Sequence, residues 1–200
     1  DSLIPPDIRG MGTVLSKATG VIAGLDVALE VFRQTNPAVK TRVLMADGSE
    51  VAPGDMVAEV EGSIAGILKG ERVALNFLQH LSGIATETSR YVKAVQGTRA
   101  RIIDTRKTVP GLRELEKYAV RVGGGRNHRY NLADGVLIKD NHIIAAGSLG
   151  EALRRARAHA PHTAKIEVEA GSLEQVEEAH AEAPHCVSDV GPGRLLSTFP

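Results

Sequence analysis

The sequence predicts an α/β protein with a β-rich amino-terminal part and a carboxyl-terminal part built from parallel βα units. Short apolar or alternating runs, broken by Gly, Pro and Asp turns, fill the first 70 residues. From about residue 98 onward, strand, loop and helix patterns repeat, which is typical of parallel βα units. We therefore expect a domain at residues 1–70, a connecting helix at 71–97 and the βα units at 98–200.

The amino-terminal part contains five short runs that read as strands and one helical stretch. The runs cover residues 12–16, 20–25, 39–45, 56–60 and 63–68, and residues 26–35 have helical spacing. Tight turns on either side of residue 51 also fit a biotinyl- or lipoyl-carrier sandwich. Such a carrier needs a lysine at an exposed hairpin tip, and the nearby Lys69 instead leads into a helix, which disfavours that alternative.

The connecting helix is predicted from residue 71 to about residue 95. Its expected buried side consists of Val73, Leu75, Phe77, Leu78, Leu81, Ile84 and Ala85. A helix of this length can form a spine between two domains.

In the carboxyl-terminal part, strands are expected at 100–104, 135–139, 164–169 and 185–189, and helices near 112–122, 148–160 and 172–183. In parallel βα folds, ligands bind beyond the carboxyl ends of the strands. Arg106 and Lys107 follow the first strand, and Lys139, Glu169 and Asp189 end the other three. The sequence therefore predicts a polar site on one face of this sheet.

Composition restricts the partners and the compartment. The 200 residues carry 24 Lys and Arg against 24 Asp and Glu, so no global basic footprint favours nucleic acid. The single cysteine, Cys186, rules out an intramolecular disulfide within this sequence. Because no apolar run is long enough to cross a membrane and no signal pattern opens the sequence, we expect no membrane association and a cytoplasmic location.

The cations near the strand ends favour an anionic ligand. Arg106 and Arg129 can each grip a carboxylate or phosphate with a two-pronged fork, and His128 can donate to an anion or move a proton. Lys139 is costly to bury without an anion. The alternatives are structural: Arg106 capping a helix or pairing with Glu114 or Glu116, and Arg129 pairing with Asp134.

Two acidic residues share one side of the third strand. Glu167 and Glu169 alternate with Val168, so both point the same way. A carboxylate there can hold Mg²⁺ or sugar hydroxyls, whereas pairing with Lys165 or Lys139 is the alternative.

These segments resemble those of the quinolinate phosphoribosyltransferase family, the decarboxylating nicotinate-nucleotide pyrophosphorylases. The resemblance rests on DTRKT at 104–108, GGGRNHR at 123–129, LIKDNH at 137–142 and ERVALNF at 71–77. It implies an amino-terminal α/β sandwich followed by an incomplete parallel α/β barrel. It also implies that quinolinate and phosphoribosyl diphosphate react, with Mg²⁺, to give nicotinate mononucleotide, pyrophosphate and CO₂.

The resemblance also implies residue roles. Arg106, His128, Arg129 and Lys139 match quinolinate-binding cations, and Lys107 matches a residue that meets the phosphoribosyl substrate. Arg72 matches an arginine that enters the neighbouring subunit's site, which implies a homodimer. Glu169, with Asp189 as a weaker match, corresponds to the acids near the ribose and the metal. Lys139, Glu169 and Lys107 are the expected catalytic residues.

Measured against the family pattern, the sequence lacks an opening segment and a Ser-Gly-Gly phosphate loop, so we expect a member shortened at both ends. We then expect quinolinate to bind and to be turned over slowly or not at all. Two alternatives stay open: a non-catalytic dicarboxylate-binding homologue, and the related molybdenum-transport-associated phosphoribosyltransferase-like protein.

Overall fold

The computed structural model describes residues 3–5, 7–182 and 184–189. The chain divides into two compact units, Asp1–His128 and Arg129–Pro200. In chain order the elements of the first unit are β1 (Arg9–Leu15), β2 (Gly20–Val21), α1 (Leu25–Thr35), β3 (Lys40–Val43), β4 (Glu50–Val51), β5 (Met56–Ser63), α2 (Ile64–Ala94) and α3 (Arg113–Val122). Those of the second unit are β6 (Gly135–Ile138), α4 (Asp140–Ala146), α5 (Leu149–His159), β7 (Lys165–Ala170), α6 (Leu173–Ala181) and β8 (Cys186–Asp189).

In the first unit, β5 lies between β1 and β3, and both pairings are antiparallel. A separate antiparallel pair joins β2 to β4. Val57 and Val60 of β5 are buried in one core with Leu29 and Phe32 of α1 and Leu78 of α2. Helices packed on an antiparallel sheet in this way form the predicted α/β sandwich.

Close packing between α1 and α2 depends on small residues. A Cβ atom added at Gly70 would lie 2.9 Å from the Phe32 ring, and one at Gly66 would lie 3.0 Å from the Asn36 Cβ. The buried positions of α2, among them Ala74, recur at helical spacing. Larger side chains at these glycines would push the helices apart.

Three predictions for this unit were wrong. The run 63–68 was predicted as a strand, but its residues 64–68 begin α2, where Ile64 and Ile67 pack on glycines of β1 and Gly66 lies against Asn36 at the end of α1. Val73, predicted to be buried, is 47% exposed, since the neighbouring Ala74 occupies the inward position. The predicted strand 100–104 is reduced to one isolated parallel bridge between Ile103 and Arg126.

A second core cluster positions α3. Leu81 and Ala85 of α2 are buried together with Ala119 of α3 and Val21 of β2. The predicted helix 112–122 is confirmed as α3. Because α3 is fixed against α2 in this way, its neighbouring positions 116 and 117 are also buried.

The second unit contains the parallel sheet that the sequence predicts. The strand order is β6-β7-β8, with Ile138 opposite Val168 and Glu169 opposite Ser188. Leu149 and Leu153 of α5 are buried with Ile166 and Val168 of β7. The predicted helices 148–160 and 172–183 are confirmed as α5 and α6, whereas α4 was not foreseen.

Among the described residues, no helix is both long and apolar enough to cross a membrane.

Candidate active site

The strand ends of the second unit bring together one predicted cation and one predicted acid. Lys139 directly follows β6, and its Nζ lies 2.9 Å from Oε1 of Glu169 in β7. The Lys139 side chain is 47% exposed and that of Glu169 19% exposed. Both line a cavity of about 570 Å³, together with Gln175. Pairing with Lys139, the alternative considered for Glu169, is therefore present.

Local structure fixes Lys139 where the strand turns into α4. Its backbone N–H donates to Nδ1 of His142 at 2.9 Å, so the last residue of the LIKDNH segment closes the first turn of the helix. The apolar residues Val136 and Leu137 are half-buried and Ile138 is buried, which keeps the strand in the sheet. The segment thus places a lysine at the sheet edge because a strand ends and a helix begins there.

The alternation predicted for β7 is confirmed. Ile166, Val168 and Ala170 are buried on one face, and Glu167 and Glu169 lie between them at intermediate exposure. Successive residues of a strand point to opposite faces, so the two glutamates share the face away from this core.

Arg129 is anchored by a backbone carbonyl. Its Nη1 donates to the oxygen of Gly135 at 3.1 Å, and a Cβ atom at Gly135 would lie 3.6 Å from the Arg129 Cδ. Asp134, the alternative partner in the sequence analysis, instead accepts the backbone N–H of Tyr130 at 2.7 Å. The Arg129 Nε is buried and has no hydrogen-bond acceptor among the described residues.

Arg106 shares this property in the first unit. Its Nε is also buried without an acceptor in the described part of the chain. Glu116, one of the acids considered as its partner, accepts the backbone N–H of Val109 at 3.2 Å and lies 2.9 Å from Nε2 of His80. An unpaired buried donor is costly, so an acceptor from outside the described residues would stabilise either arginine.

A buried ion pair holds the segment around His128. Nζ of Lys117 on α3 lies 2.5 Å from Oδ1 of Asp104, and their side chains are 1% and 8% exposed. The same Oδ1 accepts the backbone N–H of His128 at 2.8 Å. Sequence reasoning missed Lys117. No helical spacing marks it, because Lys117 and the buried Ala119 lie two positions apart and do not share one side of α3.

Tyr118, the neighbour of Lys117, connects α3 to the start of α1. Its hydroxyl donates to Oδ2 of Asp47 at 2.7 Å, and the Asp47 carboxylate also accepts the backbone N–H groups of Gly24 and Leu25. Partial burial, together with this carboxylate, raises the pKa of Tyr118 to about 12.

Two further predicted residues, Arg72 and Lys107, are exposed. Arg72 is exposed on α2, as a residue that reaches another subunit would have to be. Lys107 is exposed, and its backbone N–H donates to the Thr105 hydroxyl at 3.1 Å. Asp189 ends β8, where its Cα pairs with Ala170; its side chain lies outside the described part of the chain, as do residues 190–200.

The predicted site residues fall into both units. Arg72, Arg106, Lys107 and His128 belong to the first unit, and Arg129, Lys139, Glu169 and Asp189 to the second. Within one unit the structure brings Lys139 to Glu169. Convergence of all the cations on one ligand stays a prediction.

The predicted Mg²⁺ site has few protein donors in the described part of the chain. Among the described residues, no three His, Cys, Asp or Glu side chains cluster as a metal site. Glu169 is already paired with Lys139. Mg²⁺ often binds through one carboxylate plus substrate phosphates, and this is the arrangement that a lone Glu169 would fit.

Comparison with known proteins accounts for nearly the whole chain. Residues 1–82 match the family described as quinolinate phosphoribosyl transferase, N-terminal domain, and residues 84–189 match the corresponding C-terminal domain.

Several curated relatives and solved structures are similar over long stretches. A probable nicotinate-nucleotide pyrophosphorylase (carboxylating) of Synechocystis is 48% identical over 86% of this chain and 59% of its own length. The nicotinate-nucleotide pyrophosphorylase (carboxylating) of Mycobacterium leprae is 48% identical over 98% of this chain and 67% of its own length. The crystal structure of NadC from Streptococcus pyogenes superposes with a TM-score of 0.89 at 45% identity, covering 94% of this chain and 67% of that one. The chain therefore spans about 59–67% of the length of these proteins.

Proposed function

Because the chain belongs to the quinolinate phosphoribosyl transferase family, we propose that it transfers the phosphoribosyl group of phosphoribosyl diphosphate to quinolinate with loss of CO₂. The products are nicotinate mononucleotide and pyrophosphate, which places the reaction in the synthesis of NAD. The enzyme class is a pentosyltransferase, as the names of the curated relatives indicate.

One observation carries the proposal: Nε of Arg106 and Nε of Arg129 are buried and have no acceptor among the described residues. Guanidinium N–H groups bind carboxylates in parallel pairs of short, charge-assisted hydrogen bonds. Quinolinate carries two adjacent ring carboxylates. A carboxylate of this kind would relieve the cost of an unpaired guanidinium donor, which an apolar ring would not do.

The proposed chemistry assigns charge stabilisation to the protein. The ring nitrogen bonds to C1 of the ribose while the bond to diphosphate breaks, and pyrophosphate leaves with that electron pair. The positive ring then takes up the electron pair of the bond to the 2-carboxylate, CO₂ departs, and C2 receives a proton. Cations beside the ring stabilise the charge that develops there, and we assign this role to Lys139 and His128.

We assign the remaining roles on the same basis. Lys107 would meet the phosphoribosyl substrate, and Glu169 would contact the ribose, with Asp189 as a second acid. Mg²⁺ would be held mainly by oxygens of phosphoribosyl diphosphate with Glu169 as a protein ligand. We further propose a cytoplasmic homodimer in which Arg72 reaches the site of the second copy.

The decisive experiment uses quinolinate labelled with ¹⁴C in the 2-carboxylate. The 200-residue chain is incubated with it, Mg²⁺ and phosphoribosyl diphosphate, released CO₂ is trapped, and quinolinate affinity is measured separately by calorimetry. We expect saturable binding and slow release of CO₂, which exceeds the protein-free background only when both substrates are present. Binding without any release would contradict the proposed reaction and support the non-catalytic alternative. Absence of both at millimolar quinolinate would refute the site assignment as well.

A further inference from the structure

The buried ion pair between Lys117 and Asp104 is unexpected for a structural core. Lys117 is 1% exposed, and the side chain of Asp104 is 8% exposed. Removing two charges from water is costly, and apolar residues of similar volume often replace such a pair without loss of stability. A role beyond stability would explain why charged groups occupy these positions.

The pair holds both backbone groups of His128. Oδ1 of Asp104 accepts the N–H of His128 at 2.8 Å, and Nζ of Lys117 donates to the carbonyl oxygen of His128 at 3.3 Å. Residues 127–129 form neither helix nor strand. Side-chain contacts therefore hold the backbone here, where regular hydrogen bonding does not.

Asn127 extends the same network. Its Nδ2 donates to Oδ2 of Asp104 at 2.5 Å and to the carbonyl oxygen of Lys117 at 2.8 Å. Its Oδ1 accepts Nη1 of Arg121 at 2.6 Å. The two carboxylate oxygens of Asp104 thus accept hydrogen bonds from the consecutive residues Asn127 and His128.

The network also reaches the segment that carries Arg106 and Lys107. Asp104 directly precedes Thr105 in the sequence. The backbone N–H of Asp104 donates to the carbonyl oxygen of Arg126 at 3.1 Å. The N–H of Arg126 in turn donates to the carbonyl oxygen of Ile102 at 2.9 Å. One buried pair therefore fixes the backbones of two cation-bearing segments of the first unit relative to each other.

We propose that Lys117 and Asp104 are positioning residues for the reaction, which hold His128 and residues 105–107 in the geometry that recognises quinolinate. The inference rests on the proposed function for what these cations bind. Neither Lys117 nor Asp104 contacts substrate in this assignment; they act through the backbone of His128 and through the chain that follows Asp104. A misplacement of about 1 Å can lower the rate about a hundredfold, so buried contacts that fix a segment matter to catalysis.

The test replaces the pair by apolar residues of similar size. In Lys117→Met/Asp104→Leu no buried charge is left unpaired, so the variant is expected to fold, and its unfolding by urea is compared with that of the unchanged protein. We expect quinolinate to bind at least tenfold more weakly and the backbone N–H of His128 to exchange with solvent at least tenfold faster. Lys117→Met/Asp104→Asn keeps an acceptor for that N–H and should recover part of both. Glu114→Gln, an exposed position of the same helix, is the control and should change neither.

The outcomes separate this inference from the proposed function. A folded double variant that binds quinolinate like the unchanged protein overturns the positioning role. If the unchanged protein itself fails to bind quinolinate, the proposed function is refuted. The positioning role for quinolinate recognition is then refuted with it, whatever the exchange rates show. If the leucine variant does not fold, the asparagine variant decides. Intact affinity together with slow exchange at His128 then overturns the inference, and weakened affinity with faster exchange supports it.

Discussion

Replacing Arg129 by lysine isolates the value of its guanidinium fork. In the structure Nη1 is held by the carbonyl oxygen of Gly135 at 3.1 Å, while Nε is buried without an acceptor in the described part of the chain. A lysine keeps the charge but cannot hold the Gly135 oxygen and a carboxylate in the same planar geometry. The variant should therefore lose at least one charge-assisted hydrogen bond to quinolinate.

The magnitude follows from the contact that is lost. A hydrogen bond to a charged group contributes about 1.5–3 kcal/mol. Since about 1.4 kcal/mol corresponds to a factor of ten, Arg129→Lys should weaken quinolinate binding about ten- to hundredfold. Arg129→Ala, which also removes the charge, should bind quinolinate at least as weakly as Arg129→Lys.

Calorimetric titration with quinolinate measures the effect, and the matched control is Arg155→Ala. Arg155 lies in the same unit on α5 and pairs with Glu151 at 2.6 Å, and its side chain is 61% exposed. That variant should bind like the unchanged protein. Arg129→Lys binding within twofold of the unchanged protein, with its circular dichroism intact, would show that the fork does not hold the ligand.

Two further predictions concern the first unit. A Cβ atom at Gly123 would lie 2.4 Å from the backbone oxygen of Ala85, so Gly123→Ala should destabilise the fold by about 3 kcal/mol, the upper end for overpacking. At Gly83, on the exposed surface of α2, an added Cβ atom would meet nothing within 4 Å, so Gly83→Ala should stabilise the fold by up to about 1 kcal/mol. Equal urea-unfolding midpoints for the two variants would refute the packing argument. The pKa of Tyr118 is raised from 10.0 to about 12, so stability that is present below pH 10 should be lost as the pH rises through about 12. Tyr118→Phe should remove the last step of the absorbance titration at 295 nm and flatten stability across that window, and an unchanged titration would contradict the contact with Asp47.

Much of the fold follows from patterns within short segments. The alternation of β7 and the helical spacing of α5 can be seen in the sequence because one face of each packs on a core. The start of α2 could not be predicted in this way. Residues 64–68 are apolar enough for a strand, but they pack as a helix on β1 and α1, and Gly66 and Gly70 leave room for α1.

The site was predictable in its residue types and less so in its contacts. The prediction that Lys139 and Glu169 lie at one edge of the sheet is confirmed, because parallel strands end at the same edge. The pair of Lys117 with Asp104 joins residues 13 positions apart through a loop. No periodicity connects such positions, and only the packed structure shows that the lysine is buried. The prediction of a strand at 100–104 was wrong because this segment pairs only through the isolated bridge between Ile103 and Arg126.

The affinities of two related ring acids decide whether the arginine donors serve a ligand with two carboxylates. The 200-residue chain is titrated with quinolinate and, in parallel, with nicotinate, which keeps the ring and one carboxylate. We expect quinolinate to bind at least tenfold more tightly than nicotinate, because the second carboxylate accepts a further charge-assisted hydrogen bond. Equal affinities for the two acids, or no binding of quinolinate at millimolar concentration, would contradict it.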